Sequence, residues 1–341
     1  MKNSLSNSCN TQGESGAMKS KAPVLAFKNF TKYFGVIALF FLVIFFAIKN
    51  PRFIAPANIT NVLKQVSPML LVGLGTTFII LMGSIDLSID GTVTLAGIIS
   101  VLVANRTATI PVVGGLIPVV VGIVVGMVIG FVNGSLMARL RLPSFLVTLG
   151  VSTVCSGIGL IVTNGTAIRA MNDIYRSIAT LTIGIIPMLG IIAFAILILA
   201  YFLAKRTLFG RYVYAIGGGE RVAGLCGVPV ARYKIYAFIL AGALSGMAGA
   251  LTSARLGAAT NIQGDGMALD AIAAVVMGGT SLSGGKGGPL NTLVGVLVII
   301  LLSNGLNMIG VQPYTQTLIK GLVVILAVAM NSDRSSRAVV K

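Results

Sequence analysis

Ten apolar runs, separated by short polar or glycine-rich segments, organise this chain. They are Tyr33–Ile48, Asn61–Met82, Thr92–Ala104, Val112–Met137, Phe145–Thr163, Ile183–Leu203, Tyr233–Ser253, Met267–Gly279, Leu290–Ile309 and Thr315–Met330. A helix needs roughly 20 apolar residues to cross a bilayer, and helices satisfy their own backbone polar groups there. The pattern therefore predicts an all-α polytopic membrane protein with about ten transmembrane helices. The first, third and eighth runs are short, which predicts tilted, broken or re-entrant segments.

Composition sharpens this picture. Of 341 residues, 56% are hydrophobic and only 10% are charged, yet the formal charge is +17. Soluble domains carry about 25% charged residues, so an ordinary soluble enzyme is excluded, as is a disordered chain. A nucleic-acid binder needs its basic residues on one polar face, whereas here they lie between apolar blocks. Three cysteines (Cys9, Cys155, Cys226) without paired spacing suggest no disulfide framework and no metal cluster. Histidine, the commonest general base and metal ligand, is absent.

The charge is instead an orientation signal. With both termini placed in the cytoplasm, 17 of the 25 Lys and Arg fall on the cytoplasmic side, as the positive-inside rule requires. They sit in the leader, at Arg139 and Arg141, around residues 205–234, at Lys286 and in the tail. The expected organisation is a disordered basic cytoplasmic leader over residues 1–32, without a cleavable signal. A membrane domain follows over 33–331, with a cytoplasmic loop at 205–232, and then a cytoplasmic tail at 332–341.

Inside the runs, residue types suggest roles. Gly122, Gly126, Gly130 and Gly134 recur every four residues, and Gly242, Gly246 and Ala250 repeat the spacing. Such faces let two backbones approach closely, within one subunit or between two. Thr148, Ser152 and Ser156 form a hydroxyl stripe, and Asn304 and Asn307 lie on the ninth run. These groups either bond to helix backbones or line a path for a polar solute. Carboxylates at membrane depth are functional candidates. Asp86, Ser88 and Asp90 lie in Gly83-Ser84-Ile85-Asp86-Leu87-Ser88-Ile89-Asp90-Gly91, and Asp270 lies near the start of the eighth run. A helix cap is the structural alternative, favoured for Asp86. No chain of ionisable groups suited to proton transport is evident.

Gly278-Gly279-Thr280-Ser281-Leu282-Ser283 echoes the Asp86 segment, and each lies between two apolar runs. Paired glycine breaks are a way to build broken helices around a central path. The following Gly285-Lys286 is not a phosphate loop, because Thr280 and Gly287 stand where that motif requires Gly and Ser or Thr. The longest internal basic loop, from Lys205, contains more apolar residues than a solvated linker needs. Glu220 to Cys226 reads as a short helix stopped by Gly227 and Pro229, suited either to docking a partner or to lying on lipid.

This loop resembles the coupling segment of the ribose-type sugar permeases of ATP-binding-cassette importers, within the branched-chain amino acid and ribose permease superfamily. The matching residues are Phe209-Gly210-Arg211, Ala215-Ile216-Gly217-Gly218 and Leu225-Cys226-Gly227-Val228. Gly83 to Ser88, Asn133-Gly134, Leu142 to Gly150 and Leu269 to Leu282 fit the same family, so the similarity runs from about residue 50 to 331. Departures are Gly219 for a usual Asn, Cys226 for Ser, Ala268 for a frequent Glu and Asp90 for a usual Gly.

The resemblance implies a non-catalytic permease subunit moving ribose or a similar monosaccharide inward across the bacterial inner membrane by alternating access. Its implied partners are an ABC ATPase subunit, an extracytoplasmic sugar-binding protein and a second permease, identical or related, all within membrane lipid and without nucleic acid. The chain itself would bind no cofactor and no metal, and ATP and Mg would be used by the ATPase. The coupling segment would comprise Phe209, Gly210, Arg211, Ala215, Ile216, Gly217, Gly218, Glu220, Leu225 and Gly227. An ion-coupled secondary transporter of a small polar solute is the alternative, and a membrane-embedded enzyme is disfavoured by the missing histidine and scarce carboxylates.

Overall fold

A computed structural model describes residues 22–109 and 113–331. Among these residues the chain forms thirteen α-helices and four two-residue strands. Ten helices correspond to the ten apolar runs. They are α1 (Ala22–Lys49), α2 (Pro56–Leu81), α3 (Ile89–Arg106), α4 (Val113–Leu140), α5 (Ser144–Thr163), α7 (Met188–Arg206), α10 (Val230–Leu256), α11 (Met267–Met277), α12 (Pro289–Met308) and α13 (Pro313–Asn331). Three shorter helices lie between them: α6 (Asp173–Thr180), α8 (Leu208–Gly218) and α9 (Glu220–Leu225).

The first and third runs belong to longer helices than expected, of 28 and 18 residues. The backbone of residues 22–32, assigned in the sequence reading to the leader, continues α1. Apolar Val24, Leu25 and Phe27 extend the hydrophobic segment there. Residues 1–21 and 332–341 of the expected leader and tail lie outside the described residues. The eighth run is short in fact. With 11 residues α11 is about 16 Å long, half a bilayer core of roughly 30 Å.

Helices α2, α3, α4 and α10 form the packed centre. Most of α2 is buried, including Leu71, Leu74, Phe78, Ile79 and Leu81. Its Thr76 and Thr77 donate their hydroxyls back to Val72 and Gly73 carbonyls at 2.9 and 2.7 Å, so no polar atom is stranded. Alternate residues of α4, α5 and α7, such as Val124, Val128, Val154, Ile161, Phe194 and Phe202, are exposed apolar groups, as a lipid-facing surface requires.

The glycine faces of α4 and α10 meet each other within this chain. A Cβ on Gly126 would overlap the Gly242 carbonyl, one on Gly130 the Phe238 carbonyl, and one on Gly246 the Gly122 carbonyl. Gly134 lies against the backbone of Ile235, less closely but still without room for a Cβ. Backbone contact replaces side-chain interdigitation along the whole crossing.

Four connections gather at one end of the bundle: residues 82–88, 141–143, 207–229 and 278–288. At the opposite end, asparagines join the elements. Asn50 Nδ2 donates to the Met308 carbonyl at 3.0 Å, and Asn172 Nδ2 to those of Ala104 and Gly114, both at 3.1 Å. Asn172 also caps α6, its Oδ1 accepting from Ile174 and Tyr175 amides at 3.0 Å. Tyr175 is fully buried beneath, donating its hydroxyl to the Ala250 carbonyl. Burial pushes its phenol up, outweighing the hydrogen bond with Ser100 that pulls it down, so it remains a neutral donor.

The α4–α10 crossing yields a prediction. Gly126→Val will force the helices apart and lower the thermal midpoint of the detergent-purified protein, the overpacking costing about 1–3 kcal/mol or more. Gly150→Ala, on an open face of α5, will stay within about 0.5 kcal/mol of the unaltered chain.

Candidate functional site

Residues 84–87 are unwound and lie along the side of α5. The hydroxyl stripe read from the sequence meets them there. Ser144 Oγ accepts from the Ile85 amide at 3.1 Å, Thr148 Oγ1 from Leu87 at 2.9 Å and Ser152 Oγ from Gly91 at 3.1 Å. The amides of Ile85, Leu87 and Gly91 thus find hydroxyls at successive turns of α5. Two turns of α5 separate Ser144 from Ser152, a rise of about 12 Å, so α3 starts well inside the bundle. Ser156, next on the stripe, is half-buried. The signal for Ser144 was present in its place one turn before Thr148.

Asp86 is buried in this segment. Its Oδ1 accepts from the Ser88 amide at 2.8 Å and the Ser88 hydroxyl at 2.6 Å. Ser88 Oγ in turn accepts from Asn133 Nδ2 of α4 at 2.8 Å. Asp86 therefore turns the chain into α3 and fixes that turn to α4.

Asp90, in the first turn of α3, reaches across to α11. Its Oδ1 accepts from the Ala268 amide at 2.7 Å and its Oδ2 from Gly266 at 3.1 Å. One carboxylate therefore sits at the N-termini of two helices, where backbone amides and helix dipoles both favour negative charge. The approach to α11 is clipped to α3 as well. Gln263 Nε2 donates to the Val93 carbonyl at 3.1 Å, and the Gly264 amide to Thr94 Oγ1 at 3.2 Å. The sequence marks Asp90 as a carboxylate at membrane depth beside Asp86 and as a departure from the family pattern, but not its partners, which are 176 and 178 residues away.

Asp270 does not cap α11. Its Oδ2 pairs with Lys320 Nζ of α13 at 3.1 Å, each side chain 27% exposed. Asn304 is buried and exchanges amide hydrogen bonds with Asn58 at 3.0 and 3.1 Å, while Asn307 Oδ1 accepts from Gln316 at 2.7 Å. Both asparagines join helices near the end opposite α9. The path candidates thus occupy separate places: Asp86, Ser88, Thr148 and Ser152 at the α2–α3 break, Asp270 on α11, and the asparagines at the far end.

The segment from 207 to 229 is more ordered than a loop with one short helix. Thr207 caps α8, its Oγ1 accepting from the Gly210 amide at 3.2 Å. Phe209 packs between Phe78 and Tyr233, with ring centroids 5.6 and 6.1 Å away. Gly210 lies against the Ala204 carbonyl, where a side chain has no room. Ile216 is buried, while Arg211, Ala215 and Gly218 are exposed.

The short helix α9 ends at Leu225, with Gly227 in the left-handed region at φ +84°. Only Ala223 of α9 is buried, and Val222 and Leu225 are 64% and 83% exposed. Glu220 ties α9 to α10 through Lys234 at 2.6 Å. A polar cavity of about 550 Å³ opens beside it, lined by residues including Ser84, Arg141, Ser144, Glu220 and Lys234.

The two glycine breaks that echo each other in sequence meet at Gly217. The Gly285 amide donates to the Leu81 carbonyl at 2.9 Å, and Gly217 lies against both groups, with no space for a Cβ. Tyr214 Oη donates to the Gly287 carbonyl at 2.7 Å.

Comparison with known proteins places this arrangement. The family model described as branched-chain amino acid transport system, permease component, matches residues 58–328. The chain belongs to this permease family. It is 43% identical to the ribose import permease protein of Bacillus subtilis over 308 residues, covering 88% of this chain and 92% of that one. With the ribose import permease protein of Haemophilus influenzae it shares 37% over 296 residues, covering 86% and 90%. With the D-allose transport system permease protein of Escherichia coli it shares 33% over 323 residues, covering 92% and 97%. No solved structure matches. The all-helical, multi-pass architecture agrees with membership of this family.

Thr148→Val will leave the half-buried Leu87 amide without its acceptor and destabilise the protein by about 1 kcal/mol. Thr153→Val, on an exposed face one turn from Leu149, will change the thermal midpoint by less than a degree. Thermal unfolding of both variants in detergent measures the difference.

Proposed function

We propose that this chain is the membrane permease of an ATP-driven importer that carries a monosaccharide into the cell. The observation that carries this reading is the exposed apolar face of α9, Val222 and Leu225, on a segment held against both glycine breaks by Gly217. An apolar face outside the lipid-facing helices calls for a protein partner, and the partner suited to it is a cassette ATPase. ATP and Mg then act on that subunit, and this chain contributes no catalytic group. The family description names amino acids, but the relatives described above carry the names of ribose and allose permeases, and their high coverage favours a sugar.

The α9 end then faces the cytoplasm, as do both termini, in line with the distribution of Lys and Arg. A sugar-binding protein delivers solute at the opposite end, where asparagines join the helices. A second permease, identical or related, completes the path. ATP binding closes the ATPase pair, α9 moves with it, and the two ends open in alternation. A neutral sugar leaves through the polar cavity beside Ser84, Arg141 and Lys234.

An ion-coupled carrier wants a relay of titratable groups. Asp86, Asp90 and Asp270 are instead engaged by Ser88, by the α11 amides and by Lys320, in separate bonds that form no relay.

The test is uptake of labelled D-ribose by cells carrying this chain with its ATPase and binding protein. The expected result is uptake that survives a protonophore and disappears when the ATPase is deleted. Uptake abolished by the protonophore and indifferent to the ATPase overturns the reading. Val222→Glu with Leu225→Glu will reduce co-purification of the ATPase at least tenfold while the permease stays at its normal membrane level.

A further inference from the structure

We propose that α11 is the moving gate of the transport path, that the Asp270–Lys320 ion pair is its releasable latch, and that Tyr214 and Gly217 move it through the glycine-rich loop. The proposal rests on the reading of the chain as an ATP-driven permease.

Three properties of α11 point this way. It spans half the membrane, and positive-φ glycines flank it, Gly266 at φ +78° and Gly279 at φ +97°. The N-terminal part of its buried face is built from small residues, Ala268, Ala271, Ala273 and Ala274, and the larger Val275, Val276 and Met277 are buried at its C-terminal end. Against α12 the closest approach is backbone on backbone, Gly295 against the Ala274 carbonyl. This packing holds α11 at a fixed spacing from α12, as the glycine crossing holds α4 against α10, so the movement proposed is a swing of α11 between its flanking glycines.

Its attachments are unequal. At the N-terminus Asp90 holds two backbone amides of α11, Gly266 and Ala268, and no side-chain rotamer of α11 releases them. This end is the pivot. One turn further on, a 3.1 Å ion pair between two side chains, Asp270 and Lys320, joins α11 to α13, against which α11 also packs. Lysine is long and flexible, and both groups are partly exposed. Separating them in hydrocarbon leaves two bare charges, so the latch opens only when water or sugar hydroxyls enter to solvate them. Opening is thereby coupled to filling of the path.

The C-terminus of α11 leads into loop 278–288. Tyr214 bonds the Gly287 carbonyl, and Gly217 presses on Gly285, which bonds the end of α2. Both gripping residues belong to α8, immediately before α9. Displacement of the coupling segment therefore pulls on the loop that ends α11.

The experiment uses the complete importer in proteoliposomes and reads two rates, uptake of labelled D-ribose and ATP hydrolysis. Lys320→Ala and Asp270→Asn are expected to lower the ratio of sugar moved to ATP hydrolysed at least fivefold. The exchanged pair Asp270→Lys with Lys320→Asp, and the conservative Lys320→Arg, are expected to restore at least a third of it. Tyr214→Phe is expected to lower the ratio about threefold with an unchanged KM for ribose. A merely structural pair would lower both rates together, and that result overturns the latch, as does an exchanged pair no better than the single variants. Absence of ATP-dependent ribose uptake by the unaltered importer sinks the sugar-permease reading itself, a separate outcome.

Discussion

Everything in this molecule depends on one constraint: no backbone amide or carbonyl inside a bilayer can be left without a partner. Continuous helices meet it automatically. This chain interrupts its helices between Leu81 and Ile89 and between Leu256 and Met267, and each break exposes groups that water cannot satisfy. At the first break α5 supplies Ser144, Thr148 and Ser152. At the start of α11 the partner is one carboxylate, Asp90. The polar residues of the membrane domain are thus largely the complement of its irregular backbone.

The two breaks are satisfied differently, and that asymmetry gives the molecule a fixed part and a movable part. The segment before α3 is stitched to α5 and, through Ser88 and Asn133, to α4. Helix α4 is in turn fused to α10 along the glycine crossing. The loop after α11 has glycine at positions 278, 279, 284, 285, 287 and 288 and touches the coupling segment. Under the proposed gating, a force at α9 reaches α11 through this loop, whose Gly285 amide also bonds Leu81 at the end of α2.

Much of this could be read from the sequence. All ten runs are helices, and among the described residues seven of them are long and apolar enough to cross a membrane. The short helix before Gly227 was readable from its stop signals, and the echo between the glycine breaks announced two segments that meet at Gly217. What escaped was contact at long range. The hydroxyl stripe of α5 admitted two readings, and only the fold shows that Thr148 and Ser152 face an unwound backbone rather than open space. Asp90 and Lys320 are single charges in apolar surroundings, with partners 178 and 50 residues away, and no local pattern pairs such groups. The glycine faces likewise carried no indication of whether their partner lay in the same chain, until α10 was found against α4.

The measurement that bears most directly on this account is amide hydrogen exchange of the complete importer, at rest and trapped with ATP and vanadate. The account predicts that protection changes on trapping in residues 267–288, while the amides of Ile85, Leu87 and Gly91 remain equally protected in both states. An equal change across residues 83–91, or none in residues 267–288, would contradict it.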